Sequence, residues 1–124
     1  MADEGRKKIM VIDDEEDVRV FLKTLFEDYN YETCVAEDGD VAYKMLPDEK
    51  PDLITLDLDM PHETGTRFYR QLSKNPDFKD TPVIIISGLA GRHLAVKEPV
   101  SVFDKPVDQK ELMQKVEETI GQSQ

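Results

Sequence analysis

The chain contains one cysteine, Cys34. A single thiol excludes an internal disulfide and a cysteine-built metal cluster, and Cys34 reads as a packing residue. No hydrophobic run approaches the length of a membrane span. The opening Met1-Ala-Asp-Glu-Gly-Arg-Lys-Lys lacks the apolar core of a signal peptide, so no membrane association and a cytoplasmic setting are expected. Basic residues are also scarce: 16 Lys and Arg stand against 27 Asp and Glu, for a net charge of −11. Direct nucleic-acid binding needs a basic footprint, and none is present. The acidic excess reads as a well-solvated surface. Internal repeats and low-complexity linkers are absent too. What remains is one domain over 1–124, with a core from about 7 to 120 and loose termini. That length can bury the core of a small α/β protein.

The chain is organised around Pro51-Asp-Leu-Ile-Thr-Leu-Asp57-Leu-Asp59-Met-Pro61. Leu53 to Leu56 is uncharged, includes two strong strand formers, and has turn formers on both sides. Such a run predicts a strand buried on both faces. It stops at Asp57, and an ionised group beside a core demands a partner.

The other segments alternate in the same way. Residues 8–12 are a second apolar run, halted by Asp13-Asp14-Glu15-Glu16-Asp17. Val18, Phe21, Leu22, Leu25 and Phe26 then fall on one helical face. Asn30 is a break, and 31–36 alternate as a strand near a sheet edge. Val41, Ala42, Met45 and Leu46 predict a short helix ended by Pro47. After the central strand, a loop over Pro61–Gly65 precedes a helix carrying Phe68, Tyr69 and Leu72. Val83 to Ile86 is the most apolar strand and ends at Ser87-Gly88. The segment 88–98 is a weak helix crowded by Gly88, Gly91 and Pro99. Val100 to Phe103 is the last strand, followed by Asp104-Lys105-Pro106. Asp108-x-x-Glu111 resembles a capping box ahead of a final helix through Leu112, Met113, Val116 and Ile120.

Five β-α alternations imply a parallel sheet with helices on both faces. In such sheets ligands bind beyond the carboxyl ends of the strands. A parallel sheet gathers Asp13, Asp14, Asp57, Ser87 and Lys105 on that one edge. Three converging carboxylates raise one another's pKa or hold a cation. Hard oxygen donors without His or Cys favour magnesium, with manganese as a substitute. A carboxylate nucleophile, a metal, a lysine and a hydroxyl together describe phosphoryl transfer to an aspartate. Singly, each residue also has a plain structural reading. Asp13, Asp14 and Asp17 suit helix capping, Lys105 suits a solvated surface, and Asp57 suits a strand-end turn. Glu15 and Glu16 read as solvated helix-start charges, and His62 as an exposed loop residue.

Val11-Ile-Asp13-Asp14-Glu15, Pro51-Asp52 with Leu56-Asp57, Met60-Pro61, Gly65, Pro82-Val83 through Ser87, and Lys105-Pro106 occur in the order and places of one family. The chain resembles the receiver domain of two-component response regulators from about residue 7 to 120. The resemblance implies a doubly wound (βα)5 flavodoxin-like fold, its five-stranded parallel sheet in the order 2-1-3-4-5. It implies that Asp57 is the phosphoacceptor and that Ser87 and Lys105 contact the phosphoryl group. By the same resemblance Asp14 binds the metal directly, Asp13 through water, Asp57 as a ligand and Asp59 through its backbone carbonyl. The Lys105–Pro106 bond is expected in cis. The implied partner is a sensor histidine kinase or histidine phosphotransfer domain, with an unknown protein downstream. Ending at Gln124, the chain reads as a stand-alone receiver, self-catalysed and not otherwise an enzyme.

Two stretches depart from the family pattern. Asp59 places a further carboxylate two residues after the acceptor, where it is expected to alter phosphoryl lifetime. Gly88 is expected to leave the pocket beside Ser87 open. Only 18 positions separate Ser87 from Lys105, about one helical turn fewer than usual, so a short or distorted fourth helix is expected. The position three before the lysine, commonly aromatic in the family, is Val102 here, and alternation turns Phe103 to the other face. Two alternatives stay open. One is a pseudo-receiver that keeps the fold without phosphorylation. The other is a haloacid-dehalogenase-like phosphohydrolase, suggested by the D-x-D of Asp57-Leu-Asp59.

Overall fold

The computed structural model describes residues 6–88 and 101–123. Five parallel strands form one sheet in the order β2-β1-β3-β4-β5. They are β1 (Lys8–Ile12), β2 (Glu32–Ala36), β3 (Leu53–Leu56), β4 (Val83–Ser87) and β5 (Ser101–Asp104). Between them lie α1 (Glu16–Asp28), α2 (Gly39–Glu49) and α3 (Thr64–Ser73), and a C-terminal helix, Gln109–Ile120, closes the chain. This is the sheet expected from the sequence. The expected short fourth helix falls at 88–99, almost wholly outside the described residues.

Alternation along the strands sends side chains to two cores. Met10, Ile12, Ile54, Leu56 and Ile85 pack with Ala42, Leu46, Phe68 and Leu72 from α2 and α3. Ile9, Val11, Leu53, Ile84 and Ile86 pack with Leu22, Leu25 and Phe26 of α1 and Leu112, Met113 and Val116 of the C-terminal helix. All four residues of β3 are buried, because helices cover both of its faces. Each such aliphatic side chain contributes about 1.5–3 kcal/mol on leaving water.

The helix ends follow local chemistry. Asp38 caps α2 by accepting the Val41 N–H at 2.8 Å, and Asp108 caps the C-terminal helix by accepting the Glu111 N–H at 3.0 Å. Asn30 sits at φ 72, as a break after α1 allows.

Two boundaries differ from expectation. Pro47 does not end α2, which continues to Glu49. A proline inside a helix removes one N–H and crowds the preceding turn. Here burial of Leu46, 1% exposed, holds the last turn. Lys50, in the left-handed region, closes it with its N–H on Leu46 O at 2.9 Å. The second difference is at Gly65, which lies inside α3 rather than in a loop. A Cβ there would sit 2.4 Å from Asp57 O. The glycine therefore lets the start of α3 press against the backbone leaving β3. Gly39 does the same for α2, since a Cβ there would meet Thr64 O at 2.0 Å.

Candidate functional site

Register builds the site. Ile12 pairs with Leu56, so Asp13 and Asp57 leave adjacent strand ends together. The Asp57 N–H bonds to Ile12 O at 3.0 Å, and the Asp13 N–H to Ala36 O at 3.2 Å. One strand further, Ser87 ends β4 and pairs with Asp104. The Lys105 N–H extends that ladder to Ser87 O at 3.3 Å. Four segments distant in sequence thereby place their side chains around one small volume.

Asp13 and Asp57 are each 2% exposed, Ser87 is 1% exposed, and Asp14 is exposed. One carboxylate oxygen from each of Asp13, Asp14 and Asp57 lies within 4.8 Å of the others. Lys105 reaches in from just past the end of β5. Its Nζ lies 2.9 Å from Asp13 Oδ2 and 3.2 Å from Asp57 Oδ2. Ser87 ends the neighbouring strand, 1% exposed, and its hydroxyl favours the ionised form of Asp57. The other Asp57 oxygen, Oδ1, accepts the Asp59 N–H at 2.9 Å. Asp59 itself is exposed, and it is its backbone N–H that contacts Asp57. The Lys105–Pro106 bond is cis, as expected.

Electrostatics follow from burial. Desolvation pushes the Asp57 carboxyl above its ordinary value, and the Asp59 N–H, Lys105 and Ser87 pull it back without cancelling that. Asp13 is raised for the same reason, against the Glu15 N–H and Lys105, with the Asp57 charge adding to the rise. Burial lowers the Lys105 ammonium, but Asp13 and Asp57 outweigh it, so its pKa is raised and it stays charged. The site is thus a pair of desolvated carboxylates spanned by one fixed cation.

Asp13 does not cap α1, whose N-cap position is Glu15, but it holds the N–H of that residue. Its Oδ1 accepts the Glu15 N–H at 2.9 Å, while Oδ2 faces Lys105. Two residues were not legible as site residues. Glu15, read as solvated, places Oε1 3.2 Å from Lys105 Nζ. Arg19 donates from Nη1 to Asp13 O at 2.8 Å, fixing the backbone of the acidic turn. Its place one turn after Glu15 was the available signal. His62 is exposed in a 3-10 turn at Pro61–Glu63, as expected of a loop residue. Cys34 is half-buried, and burial pushes its thiol up to about 12, which suits packing rather than reactivity. A Cβ on Gly88 would meet nothing within 4 Å among the described residues. Val102 is 39% exposed while Phe103 packs into the core beneath α1, as strand alternation requires.

Comparison with known proteins agrees with this geometry. The family described as "Response regulator receiver domain" matches residues 9–117. Protein Rrf1 of Nitratidesulfovibrio vulgaris is 33% identical over 101 residues, covering 82% of this chain and 73% of that protein. The transcriptional regulatory protein YxdJ of Bacillus subtilis is 36% identical over 84 residues, covering 68% of this chain and 35% of that protein. This chain therefore spans about a third of YxdJ and most of Rrf1. The chemotaxis protein CheY4 of Vibrio cholerae superposes with a TM-score of 0.80 at 21% identity, covering 92% of this chain and 98% of that one, a likeness of fold. No helix among the described residues is long and apolar enough to cross a membrane. The strand-end constellation and the match over nearly the whole sheet lead to one conclusion: the chain belongs to the response regulator receiver family of two-component systems.

Proposed function

We propose that Asp57 is a phosphoacceptor, charged from a phosphohistidine on a sensor histidine kinase or histidine phosphotransfer domain. The observation that carries this reading is Lys105, whose ammonium bridges the buried Asp57 and Asp13. A lysine held there faces any phosphoryl group arriving at Asp57 and offsets its charge. Ser87, buried at the end of β4, supplies a hydroxyl donor to the same group. In the transfer an Asp57 carboxylate oxygen attacks phosphorus. The new O–P bond forms as the P–N bond breaks, and its electron pair returns to the imidazole nitrogen. No proton leaves Asp57, which must be ionised beforehand. Water attack on the aspartyl phosphate regenerates the carboxylate and releases inorganic phosphate.

Asp13, Asp14 and Asp57 fit a divalent cation, because three hard oxygen donors converge and two of them are desolvated. That donor set suits magnesium, with manganese as a substitute. Asp59 is proposed to add its backbone carbonyl. The bound cation supplies positive charge against the carboxylates and the transferred phosphoryl oxygens.

The chemistry is self-catalysed, so the chain acts as a signalling module and not as an enzyme on other substrates. Output passes to a downstream protein. The test is intact mass after incubation with magnesium and acetyl phosphate. One added phosphoryl group is expected, absent in Asp57→Asn and in metal-free protein. A wild-type protein that gains no mass from acetyl phosphate or from a phosphorylated histidine kinase refutes the proposal.

A further inference from the structure

An ammonium group has three N–H donors. In Lys105 they lie among three carboxylates, Asp13 at 2.9 Å, Asp57 at 3.2 Å and Glu15 at 3.2 Å, and hydrogen-bond to Glu15 and Asp57. The three acceptors differ sharply in their surroundings. Asp13 and Asp57 are each 2% exposed, whereas the Glu15 side chain is 63% exposed. Releasing a buried carboxylate from its cation strands a charge away from water. Releasing Glu15 returns it to solvent at little cost. Glu15 is also the N-cap position of α1, and its side chain makes no capping bond there. Its backbone is fixed, since its N–H is held by Asp13 and its carbonyl accepts the Arg19 N–H at 3.1 Å. The side chain is thus delivered to Lys105 from a rigid turn while remaining the most easily exchanged of the three partners.

We propose that Glu15 is a positioning residue that occupies one donor of Lys105 until a phosphoryl oxygen replaces it. This rests on Asp57 being the phosphoacceptor. Before transfer, Glu15 holds the ammonium over the site. On transfer, a phosphoryl oxygen takes the Glu15 place on Lys105, and Glu15 swings into water. The contact stabilises the unmodified site more than the modified one, so it restrains phosphoryl acceptance. Glu16 is the internal control. It is the adjacent carboxylate in the chain, also exposed and of the same charge.

The experiment compares wild type, Glu15→Gln and Glu16→Gln at fixed ionic strength. The initial rate of mass gain from acetyl phosphate is measured in magnesium, with Asp57→Asn as the blank. In this reaction the O–P bond to Asp57 forms as the bond from phosphorus to the acetate oxygen breaks. The electron pair leaves with acetate. A second readout needs neither metal nor donor: the order parameter of the Lys105 ammonium by nitrogen-15 NMR. Glu15→Gln is expected to take label about two- to fivefold faster, the range set by loss of an exposed ion pair. It is also expected to loosen the Lys105 ammonium, while Glu16→Gln changes neither. Equal rates for the two variants would mean general charge repulsion and overturn the proposal. So would an unchanged Lys105 order parameter in Glu15→Gln. Wild type that gains no label refutes the phosphoacceptor reading, and this inference falls with it. Wild type that labels normally, beside an inert Glu15→Gln, refutes the Glu15 role alone.

Discussion

The two ends of the sheet are built from similar residues and reach opposite results. At the amino ends of the strands, polar groups find partners nearly one to one. The Lys8 N–H meets Asp52 at 2.8 Å, and Lys8 Nζ meets Glu49 at 2.9 Å. The Lys7 N–H meets Ser123 Oγ at 2.9 Å, Lys7 Nζ meets Ile120 O, and the Tyr31 hydroxyl donates to Gly121 O at 2.6 Å. That end ties the tail of the C-terminal helix back to β1 and β2. At the carboxyl ends, Asp13, Glu15 and Asp57 crowd around Lys105, and Asp14 lies beside Asp13 and Asp57. Charge there is left in surplus, and burial raises two of the carboxyls. One end is balanced for stability, and the other keeps an imbalance that a ligand can relieve, a common trade at functional sites.

The largest expected effect breaks the comparison at its active end. Asp57→Asn should reduce acetyl-phosphate labelling to background in intact-mass measurements. The same substitution should stabilise the metal-free fold at neutral pH. Asp13 and Asp57 have folded pKa values above their ordinary ones. The stability this contributes is present below the unfolded value, about 3.9, and is lost as pH rises through the raised folded values. Thermal melts without metal should therefore show an Asp57→Asn advantage of about 2–5 °C at pH 7 that disappears near pH 4. An advantage independent of pH would contradict the electrostatic account.

Next in size is the backbone joint beneath the site. Gly65→Ala places a methyl 2.4 Å from Asp57 O, and α3 must shift to admit it. A loss of about 2–4 kcal/mol is expected in denaturant unfolding, with slower labelling because the backbone at Asp57 moves. A neutral substitution would show that α3 is not pressed against β3 as described.

Magnesium should sharpen the contrast further. A ligand that relieves surplus charge stabilises the fold by mass action, by about 2.7 kcal/mol at a hundredfold excess over Kd. Wild type should melt several degrees higher on magnesium addition, and Asp13→Asn should respond much less. The smallest effect belongs to the balanced end. Tyr31→Phe removes the bond to Gly121 O and should cost about 1 kcal/mol with labelling unchanged. Altered labelling in that variant would mean that the two ends are coupled.

Most of the fold was readable because its signals are local. The buried runs at 8–12, 53–56 and 83–86 lack charge, and Asp38, Asn30 and Asp108 punctuate them in ways that short-range hydrogen bonding explains. The errors occurred where distant packing overrides a local rule. Pro47 stays helical because Leu46 is buried against the sheet, and Gly65 serves close approach rather than a turn. Phe21 matched the apolar period of α1 yet is 38% exposed, since it lies toward the edge of the helix face that covers the sheet.

The site divides along the same line. Strand periodicity and chain order alone dictated that Asp13, Asp14, Asp57, Ser87 and Lys105 would share one edge, because a parallel sheet collects all its carboxyl ends there. Whether Lys105 contacts two carboxylates or three, and which of them are dry, depends on register between strands and on a helix entry angle. Those are set by packing between segments up to 90 residues apart, as between Glu15 and Lys105. Glu15 therefore looked like any solvated charge until the fold brought β5 beside it.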